Sequence, residues 1–222
     1  MHVFLFDIDG TLILSGGAGK AAMEAALSSA FGIQELAGEV PFSGRTDRAI
    51  GQDLLSLHGI EQTADNWELL RSAYLRVLPD CLARHQGRIL PGIQTLLEQL
   101  ATRQRTVVGL LTGNIREGAR LKLGHYRLFH HFTLGGFGDH HFDRNDVARE
   151  ALAAVHHHLN GSGFDQLWVI GDTPLDIRCA RAINARVAAV ATGWHPLEEL
   201  AEEKPDLLFA DLSDPERLFQ TC

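Results

Sequence analysis

Two aspartates near the start of the chain have the spacing of a catalytic pair. Asp7 and Asp9 follow an apolar run at residues 3–6 and are separated by one residue. In an extended chain, residues two apart point to the same side, so both carboxylates should converge at the carboxyl end of a buried strand. Gly10 then allows a tight turn, and Thr11 offers a hydroxyl. Ligands of open parallel sheets bind beyond this end of the strands, although these residue types also form ordinary turns.

A second group of polar residues follows another apolar run. Thr112, Gly113 and Asn114 come directly after residues 106–111 and precede a predicted helix at residues 115–123. The free N–H groups and the dipole at the start of a helix can hold an anion such as phosphate. The alternative is that Thr112 or Asn114 only caps the helix.

Two more aspartates follow a third apolar run, at residues 167–170. Asp172 and Asp176 could each serve only the start of the next helix, but neighbouring strands would bring them close to Asp7 and Asp9. Two like charges about 4 Å apart repel by roughly 4 kcal/mol at an effective dielectric constant of 20. Such a group therefore predicts a bound cation, and its oxygen ligands favour Mg²⁺.

The order of predicted elements indicates an α/β fold with an inserted helical segment. Strands and helices alternate after about residue 90, whereas residues 20–88 read as helices only. We therefore predict a Rossmann-like parallel sheet core, formed by residues 1–15 and 89–222, and a helical cap domain at residues 16–88. The glycine-rich stretch at residues 16–19 is interpreted as a hinge.

Two prolines are expected to mark helix boundaries. A helix at residues 67–83 should kink or end at Pro79, because proline lacks the N–H that an internal helical position needs. Pro91 is expected to begin a helix that runs to Leu100, since proline is common in the first turn.

Composition excludes several classes of protein. The chain has 222 residues and a formal net charge of −8, without a block of Lys or Arg, so nucleic acid and anionic membranes are not expected partners. Cys81, Cys179 and Cys222 are scattered and odd in number, which argues against a disulfide framework and fits the reducing cytoplasm. The opening apolar run is too short for a signal peptide or a membrane span. No feature demands a protein partner.

Taken together, these motifs resemble those of the haloacid dehalogenase superfamily, in its phosphoglycolate phosphatase-like and β-phosphoglucomutase-like branch. Residues 7–11 match the first motif, residues 112–114 the second and residues 171–176 the fourth. The third motif usually contributes Lys. Here Arg144 is the only cation at the expected place, in the segment at residues 140–146.

The resemblance implies Mg²⁺-dependent hydrolysis of a small phosphorylated metabolite through an aspartyl-phosphate. Asp7 would be the nucleophile and Asp9 the general acid and base. Asp7, the backbone carbonyl of Asp9 and Asp172 would bind the metal, and Asp176 would orient its ligands or a bound water. Thr112 and Arg144 would stabilise the charge of the transition state. The residues implied to bind phosphate are Gly10, Thr11, Thr112, Gly113 and Asn114.

Substrate choice is expected to depend on a loop of the cap domain. Arg45 and Thr46 lie where this branch places a loop that reaches the active site. Arg45 would bind an acidic or polyhydroxy leaving group. The alternative is that Thr46 or Asp47 caps the next helix while Arg45 is exposed. Trp194 is interpreted as structural.

Three other activities stay open. A sugar-phosphate mutase would use the same aspartates, and a phospho-accepting regulatory module would be modified at Asp7 without turnover. A haloacid dehalogenase is disfavoured, since its chemistry needs neither Asp9 nor a metal.

Overall fold

The computed structural model describes residues 1–221, and Cys222 lies outside them. Strands and helices alternate along these residues, except in one helical stretch before residue 88. The strands are β1 (His2–Phe6), β2 (Ile13–Leu14), β3 (Arg88–Ile89), β4 (Thr106–Leu111), β5 (Leu134–Gly136), β6 (Gln166–Gly171), β7 (Arg186–Val190) and β8 (Leu207–Phe209). The helices are α1 (Ala18–Phe31), α2 (Asp47–Leu57), α3 (Ala64–Arg84), α4 (Ile93–Thr102), α5 (Arg116–His125), α6 (Arg144–His158), α7 (Pro174–Ala182), α8 (Leu197–Glu202) and α9 (Glu216–Gln220).

Six of the strands form one parallel sheet in the order β5-β4-β1-β6-β7-β8. The first strand, β1, is therefore central, between β4 and β6. Phe6 at its end lies opposite Leu110 on one side and Ile170 on the other. The three strand ends are consequently level, so the residues that follow them meet at one edge. The predicted α/β class with a parallel sheet is confirmed.

Both faces of the sheet are covered by helices. In β1, Val3 and Leu5 belong to one buried cluster, which includes side chains of α6 and α7. Phe4 and Phe6 belong to a second cluster, which includes side chains of α4 and α5. This explains why β1 reads as a continuous apolar run, because a strand buried on both faces needs no polar alternation.

Helices α1, α2 and α3 lie between β2 and β3 in the sequence, and their buried side chains form a separate cluster. The two short strands pair with each other in antiparallel fashion, with Ile13 opposite Ile89 and Leu14 opposite Arg88. The predicted boundaries of the cap domain, at 15/16 and 88/89, lie beside this ribbon. The division into two domains stays a prediction.

The two proline predictions concern helix boundaries. Helix α3 does not end at Pro79 but continues to Arg84, because the burial of Leu78 and Leu82 on either side outweighs one lost backbone hydrogen bond. The alternative, a kink at Pro79, stays a prediction. Helix α4 begins at Ile93 and not at Pro91. Gly92 precedes it with φ of 78°, and a Cβ there would lie 1.8 Å from the carbonyl oxygen of Leu212. That close approach requires glycine and sets the start of the helix.

Two further observations bear on the composition. Among residues 1–221, no helix combines the length and the apolar character that spanning a membrane requires. Cys81 and Cys179 are free thiols, and Cys222 is not described.

The tryptophan in β6 offers a test of the core. Trp168 is fully buried, and its Nε1 donates a hydrogen bond to Gln166 Oε1 at 3.0 Å. We expect Trp168→Ala to lower the free energy of unfolding by about 3–5 kcal/mol, measured by urea titration. The matched control is Trp194→Ala, since Trp194 is 86% exposed and should change stability by less than about 0.5 kcal/mol. Equal effects of the two substitutions would contradict this placement of the core.

Candidate active site

The residues that follow three neighbouring strands, β4, β1 and β6, lie together at the carboxyl edge of the sheet. Asp7 follows β1, Thr112 follows β4 and Asp172 follows β6. The backbone N–H of Asp7 donates to the carbonyl of Ile170 at 2.9 Å, which extends the pairing of β1 and β6 by one residue. The carboxyl edge of the sheet therefore gathers these side chains, as the parallel arrangement predicts.

Asp7, Asp172 and Asp176 form a buried acidic cluster. One carboxylate oxygen of each lies within 4.8 Å of the others, which is the spacing of a metal site. Asp176 is placed by the start of α7, where its carboxylate accepts from the backbone N–H of Thr173 at 3.0 Å. Asp172 accepts a hydrogen bond from the Thr11 hydroxyl at 2.9 Å. Sequence reasoning assigned all three aspartates to the metal site, with Asp176 behind the direct ligands.

The space beside the Asp172 carboxylate is kept open by two glycines. A Cβ at Gly10 would lie 2.2 Å from Asp172 Oδ2, and a Cβ at Gly193 would lie 1.7 Å from it. Gly10 has φ of 88°, a conformation that favours glycine. Any larger residue at either position would fill the room next to the carboxylate that a ligand needs.

Burial makes this cluster unfavourable without a positive ion. Burial raises the pKa of Asp7 to about 7, although the nearby Arg144 guanidinium opposes the shift. Burial, with the charges of Asp176 and Asp7, also raises the pKa of Asp172 well above its usual range. A divalent cation bound to these oxygens would favour the ionised forms. The donor set and the space beside it therefore fit a metal ion.

Arg144, the first residue of α6, provides the cation on the other side of the cluster. Its Nη1 donates to Asp7 Oδ1 at 3.2 Å, and its Nη2 contacts Asp176 Oδ1. Burial opposes the charge, but Asp176 and Asp7 together raise the pKa of Arg144. The predicted position of this cation, beside Asp7, agrees with the structure. Its role in catalysis stays a prediction.

The predicted phosphate-binding residues fall into two groups. Gly10, Gly113 and Asn114 line a cavity of about 770 Å³ above the carboxyl edge of the sheet. Thr11 instead contacts Asp172, and Thr112 is fully buried. A hydrogen bond from Thr112 lowers the pKa of Asp7 against the larger effect of burial. These two threonines therefore touch the carboxylates that surround the site.

Asp9 occupies a different environment from Asp7. Its Oδ2 accepts hydrogen bonds from Lys122 Nζ at 2.6 Å and from Asn114 Nδ2 at 2.9 Å. Its side chain remains 39% exposed, and Asp9 lines the same cavity as Asp7. The two carboxylates thus face one space but have different partners, as a nucleophile and an acid/base group require.

Sequence reasoning missed Lys122. It lies in α5, and its side chain is only 6% exposed. Burial opposes its charge, but Asp9 and Asp47 raise the pKa of Lys122. A signal was present in the sequence, because the buried positions 115, 118, 119, 122 and 123 follow the helical repeat and place this lysine on the inner face.

Asp47 was considered only as a helix-capping residue, but it joins the cap domain to the core. Its backbone N–H donates to the carbonyl of Gly113 at 2.7 Å, and its carboxylate accepts from the N–H of Ile115 at 2.8 Å. A Cβ at Gly113 would lie 2.0 Å from the carbonyl oxygen of Arg45. The loop before α2 therefore packs directly on the loop after β4.

The two predicted specificity residues have structural partners. Thr46 is fully buried and caps α2, where its hydroxyl accepts from the N–H of Ala49 at 3.1 Å. Arg45 lines the cavity, but its guanidinium pairs with Asp53 at 2.7 Å and donates to the carbonyl of Pro41 at 3.1 Å. The structure thus agrees with the helix-capping alternative for Thr46. Their part in substrate choice stays untested.

Known proteins resemble this chain over its whole length. The family model of the haloacid dehalogenase-like hydrolases matches residues 4–181. A protein of Caldanaerobacter subterraneus subsp. tengcongensis, proposed to be the pyrophosphatase PpaX, is 26% identical over 227 residues. That alignment covers 98% of this chain and 94% of the relative.

Solved structures share the fold. A predicted phosphoglycolate phosphatase from Haemophilus somnus 129PT matches with a TM-score of 0.72 and 19% identity, over 98% of this chain and 97% of that one. A protein of Thermotoga maritima proposed to be a β-phosphoglucomutase matches with a TM-score of 0.61 and 17% identity, over 100% and 99% of the two chains. At these identities the likeness establishes the shared architecture.

The contact between Lys122 and Asp9 predicts an effect on activity. We expect Lys122→Met to lower kcat by about 100-fold with a smaller change in KM, because Asp9 loses the group that fixes its carboxylate. Phosphate release in steady state measures both constants. The control is Arg120→Met on the exposed side of the same helix, where Arg120 contacts only Glu117 among its recorded partners. A kcat that equals that of the control would contradict the role of Lys122.

The environment of Asp47 predicts a pH dependence of stability. Burial raises the pKa of Asp47 from 3.8 to about 6, although Lys122 opposes the shift. The folded state therefore holds this proton more tightly than the unfolded chain. The stabilisation is full below pH 3.8 and is lost as the pH rises through about 6.

In the native protein we expect the free energy of unfolding to fall as the pH rises from 3.8 through about 6. Asp47→Asn should make this fall smaller. Urea titration in EDTA measures the free energy at each pH. Asp80→Asn is the control, because the Asp80 side chain is 76% exposed. Identical pH profiles for Asp47→Asn and the native protein would count against the buried carboxylate.

Proposed function

The chain belongs to the haloacid dehalogenase-like hydrolases, and from this premise we propose that it hydrolyses small phosphomonoesters with the help of Mg²⁺. The observation that carries the proposal is that two carboxylates line one cavity but have different hydrogen-bond partners. Asp7 lies in the buried cluster beside Arg144, whereas Asp9 is held by Lys122 and Asn114. The names of the relatives, which include a predicted phosphoglycolate phosphatase, support the same class of reaction.

The first half of the reaction transfers the phosphoryl group to Asp7. A carboxylate oxygen of Asp7 attacks phosphorus in line with the ester oxygen, so a bond from Asp7 to phosphorus forms as the ester bond breaks. Asp9 gives a proton to the departing oxygen, and the alcohol leaves. Lys122 and Asn114 hold the Asp9 carboxyl group in place for this transfer.

The second half restores the enzyme. Asp9, now ionised, takes a proton from a water molecule that attacks phosphorus. The bond between phosphorus and Asp7 breaks, and phosphate leaves. One ester and one water therefore give one alcohol and one phosphate, with both aspartates returned to their starting forms.

Several groups would carry the negative charge of the phosphoryl oxygens. Arg144 is already aimed at Asp7, and its charge would extend to a phosphoryl group bound there. Gly113 and Asn114 line the cavity close to the start of α5. The N–H groups of Asn114, Ile115 and Arg116 donate to Thr112, Asp47 and Asp139, so the proposed phosphoryl contacts here fall to Gly113 and to the Asn114 side chain.

Mg²⁺ fits the acidic cluster by ligand type. The carboxylates of Asp7 and Asp172 and the backbone carbonyl of Asp9 would hold it, with Asp176 behind them. The ion would neutralise charge on the phosphoryl oxygens and on the attacking carboxylate. Hard oxygen ligands alone, without His or Cys, favour Mg²⁺ over softer metals.

The decisive experiment measures phosphate release from a panel of phosphomonoesters by the native protein and Asp7→Asn. We expect the substitution to lower kcat by at least about 1,000-fold, since it removes the nucleophile. EDTA should abolish release and Mg²⁺ should restore it. Asp80→Asn is the matched control, with an exposed carboxylate distant from the cluster in sequence.

Two results would overturn the proposal. Release that survives Asp7→Asn would exclude Asp7 as the nucleophile, and full activity in EDTA would exclude the metal. Interconversion of a sugar phosphate without net phosphate release would instead favour a mutase.

A further inference from the structure

Besides Arg144, the cavity is lined by three cations, each with an acidic neighbour in the same chain. They are Lys20, Arg45 and Lys122, which come from the cap domain and from α5. These are the groups that would bind a second negative charge on a substrate, beyond the phosphoryl group. Each of them lies near a carboxylate of the same chain.

Arg45 has both a carboxylate and a backbone carbonyl as partners. Its Nη2 lies 2.7 Å from Asp53 Oδ2, and its Nη1 donates to the carbonyl of Pro41 at 3.1 Å. The Arg45 side chain is 24% exposed and the Asp53 side chain is 47% exposed, so water reaches the pair from the Asp53 side. A substrate carboxylate would have to displace Asp53 to gain this guanidinium.

Lys122 is shared between two carboxylates. Its Nζ lies 2.6 Å from Asp9 Oδ2, and Asp47 adds a second negative charge nearby. Asp9 and Asp47 both line the cavity with it. Lys122 is therefore already in contact with one acidic side chain and close to a second, and both share the cavity with it.

Lys20 has the loosest pairing. Its Nζ lies 3.9 Å from Glu24 Oε1, and both side chains are well exposed. Water screens an exposed charge of this kind, so its attraction for an anion in the cavity is weak.

Apolar side chains make up much of the remaining lining, together with Ser15, Ser43 and several glycines. Met23, Ile50 and Tyr74 are buried residues of the cap domain that line the cavity, and Phe42 lies beside them. Trp194 is 86% exposed and lines the same cavity from the core side. The sequence led us to interpret this tryptophan as structural, but its exposure leaves the indole available to a ligand. Apolar walls with few polar groups suit uncharged ligands.

We propose that this site selects phosphomonoesters whose leaving group is an uncharged, partly apolar alcohol, and disfavours esters with a second anionic group. A buried anion without a free cation loses its hydration and gains no compensating partner. An apolar leaving group instead removes its own surface and that of the wall from water. The inference rests on the proposed function and makes it more specific. It also separates this chain from relatives whose names indicate phosphoglycolate or pyrophosphate, both of which have an anionic leaving group.

The test uses two esters that differ in one charge. We compare 4-carbamoylphenyl phosphate with 4-carboxyphenyl phosphate, which have nearly the same shape, and measure kcat/KM with Mg²⁺. The amide should be preferred by at least about tenfold, which corresponds to about 1.4 kcal/mol. A carboxylate that is hydrolysed equally well or better would overturn the inference while leaving the phosphatase proposal intact.

A variant then tests the reason for the preference. Asp53→Asn removes the charge that holds Arg45 and frees the guanidinium for a substrate anion. The ratio of kcat/KM, amide over carboxylate, should fall by at least about fivefold. Asp80→Asn removes an exposed aspartate from α3 and should leave this ratio unchanged. An unchanged ratio in Asp53→Asn would exclude Arg45 pairing as the cause.

Binding separates failure of this inference from failure of the proposed function. Affinities of both esters for Asp7→Asn protein, followed by tryptophan fluorescence, need no turnover. Tighter binding of the amide ester supports selection against charge even if neither ester is hydrolysed by the native protein. Tighter binding of the carboxylate ester contradicts it.

Discussion

The concentration of negative charge at one edge of the sheet is the constraint on which the rest of the molecule depends. Asp7, Asp172 and Asp176 are buried there because the parallel strands β1 and β6 end at the same level and α7 begins beside them. Burial prevents water from screening them. Arg144 balances part of their charge, and the buried acidic oxygens favour a bound metal ion as the second partner. The glycines around Asp172 keep the space beside its carboxylate open.

A second pair of charges lies at the boundary between core and cap domain. Lys122 comes from α5 of the core, and Asp47 comes from the first turn of α2 in the cap domain. Their common neighbour is Asp9. The same aspartate that faces the cavity is therefore linked, through one lysine, to the position of the cap domain. Gly113 allows this close approach, because any side chain there would collide with the loop before α2.

The sequence predicted the strands, their parallel arrangement and the acidic cluster because each depends on local patterns. Buried strands read as apolar runs, and their carboxyl ends coincide in any parallel sheet. The family resemblance pointed to Arg144 as the cation of the third motif, and in the structure its guanidinium lies beside Asp7. The sequence analysis did not predict that Lys122 is buried beside the site, because a lysine between two leucines is usually solvent-exposed. The helical repeat places Lys122 on the same face as the buried residues Ile115 and Gly118.

Other features depended on how side chains pack and pair in three dimensions. The helix through Pro79 is stabilised by packing of the leucines around it, which local propensity does not register. The sequence left open whether Arg45 binds a substrate or is only exposed. In the structure Arg45 lines the cavity and its guanidinium pairs with Asp53 of α2. Whether a cation is free or paired depends on rotamers, and a sequence pattern does not contain that information.

The small ribbon formed by β2 and β3 has a mechanical consequence. The two connections between core and cap domain are hydrogen-bonded to each other, and the N–H of Leu90 also bonds to the carbonyl of Leu12 at 3.0 Å. A displacement of one connection would therefore disturb the hydrogen bonds to the other. We expect the two connections to shift together in any motion of the predicted cap domain.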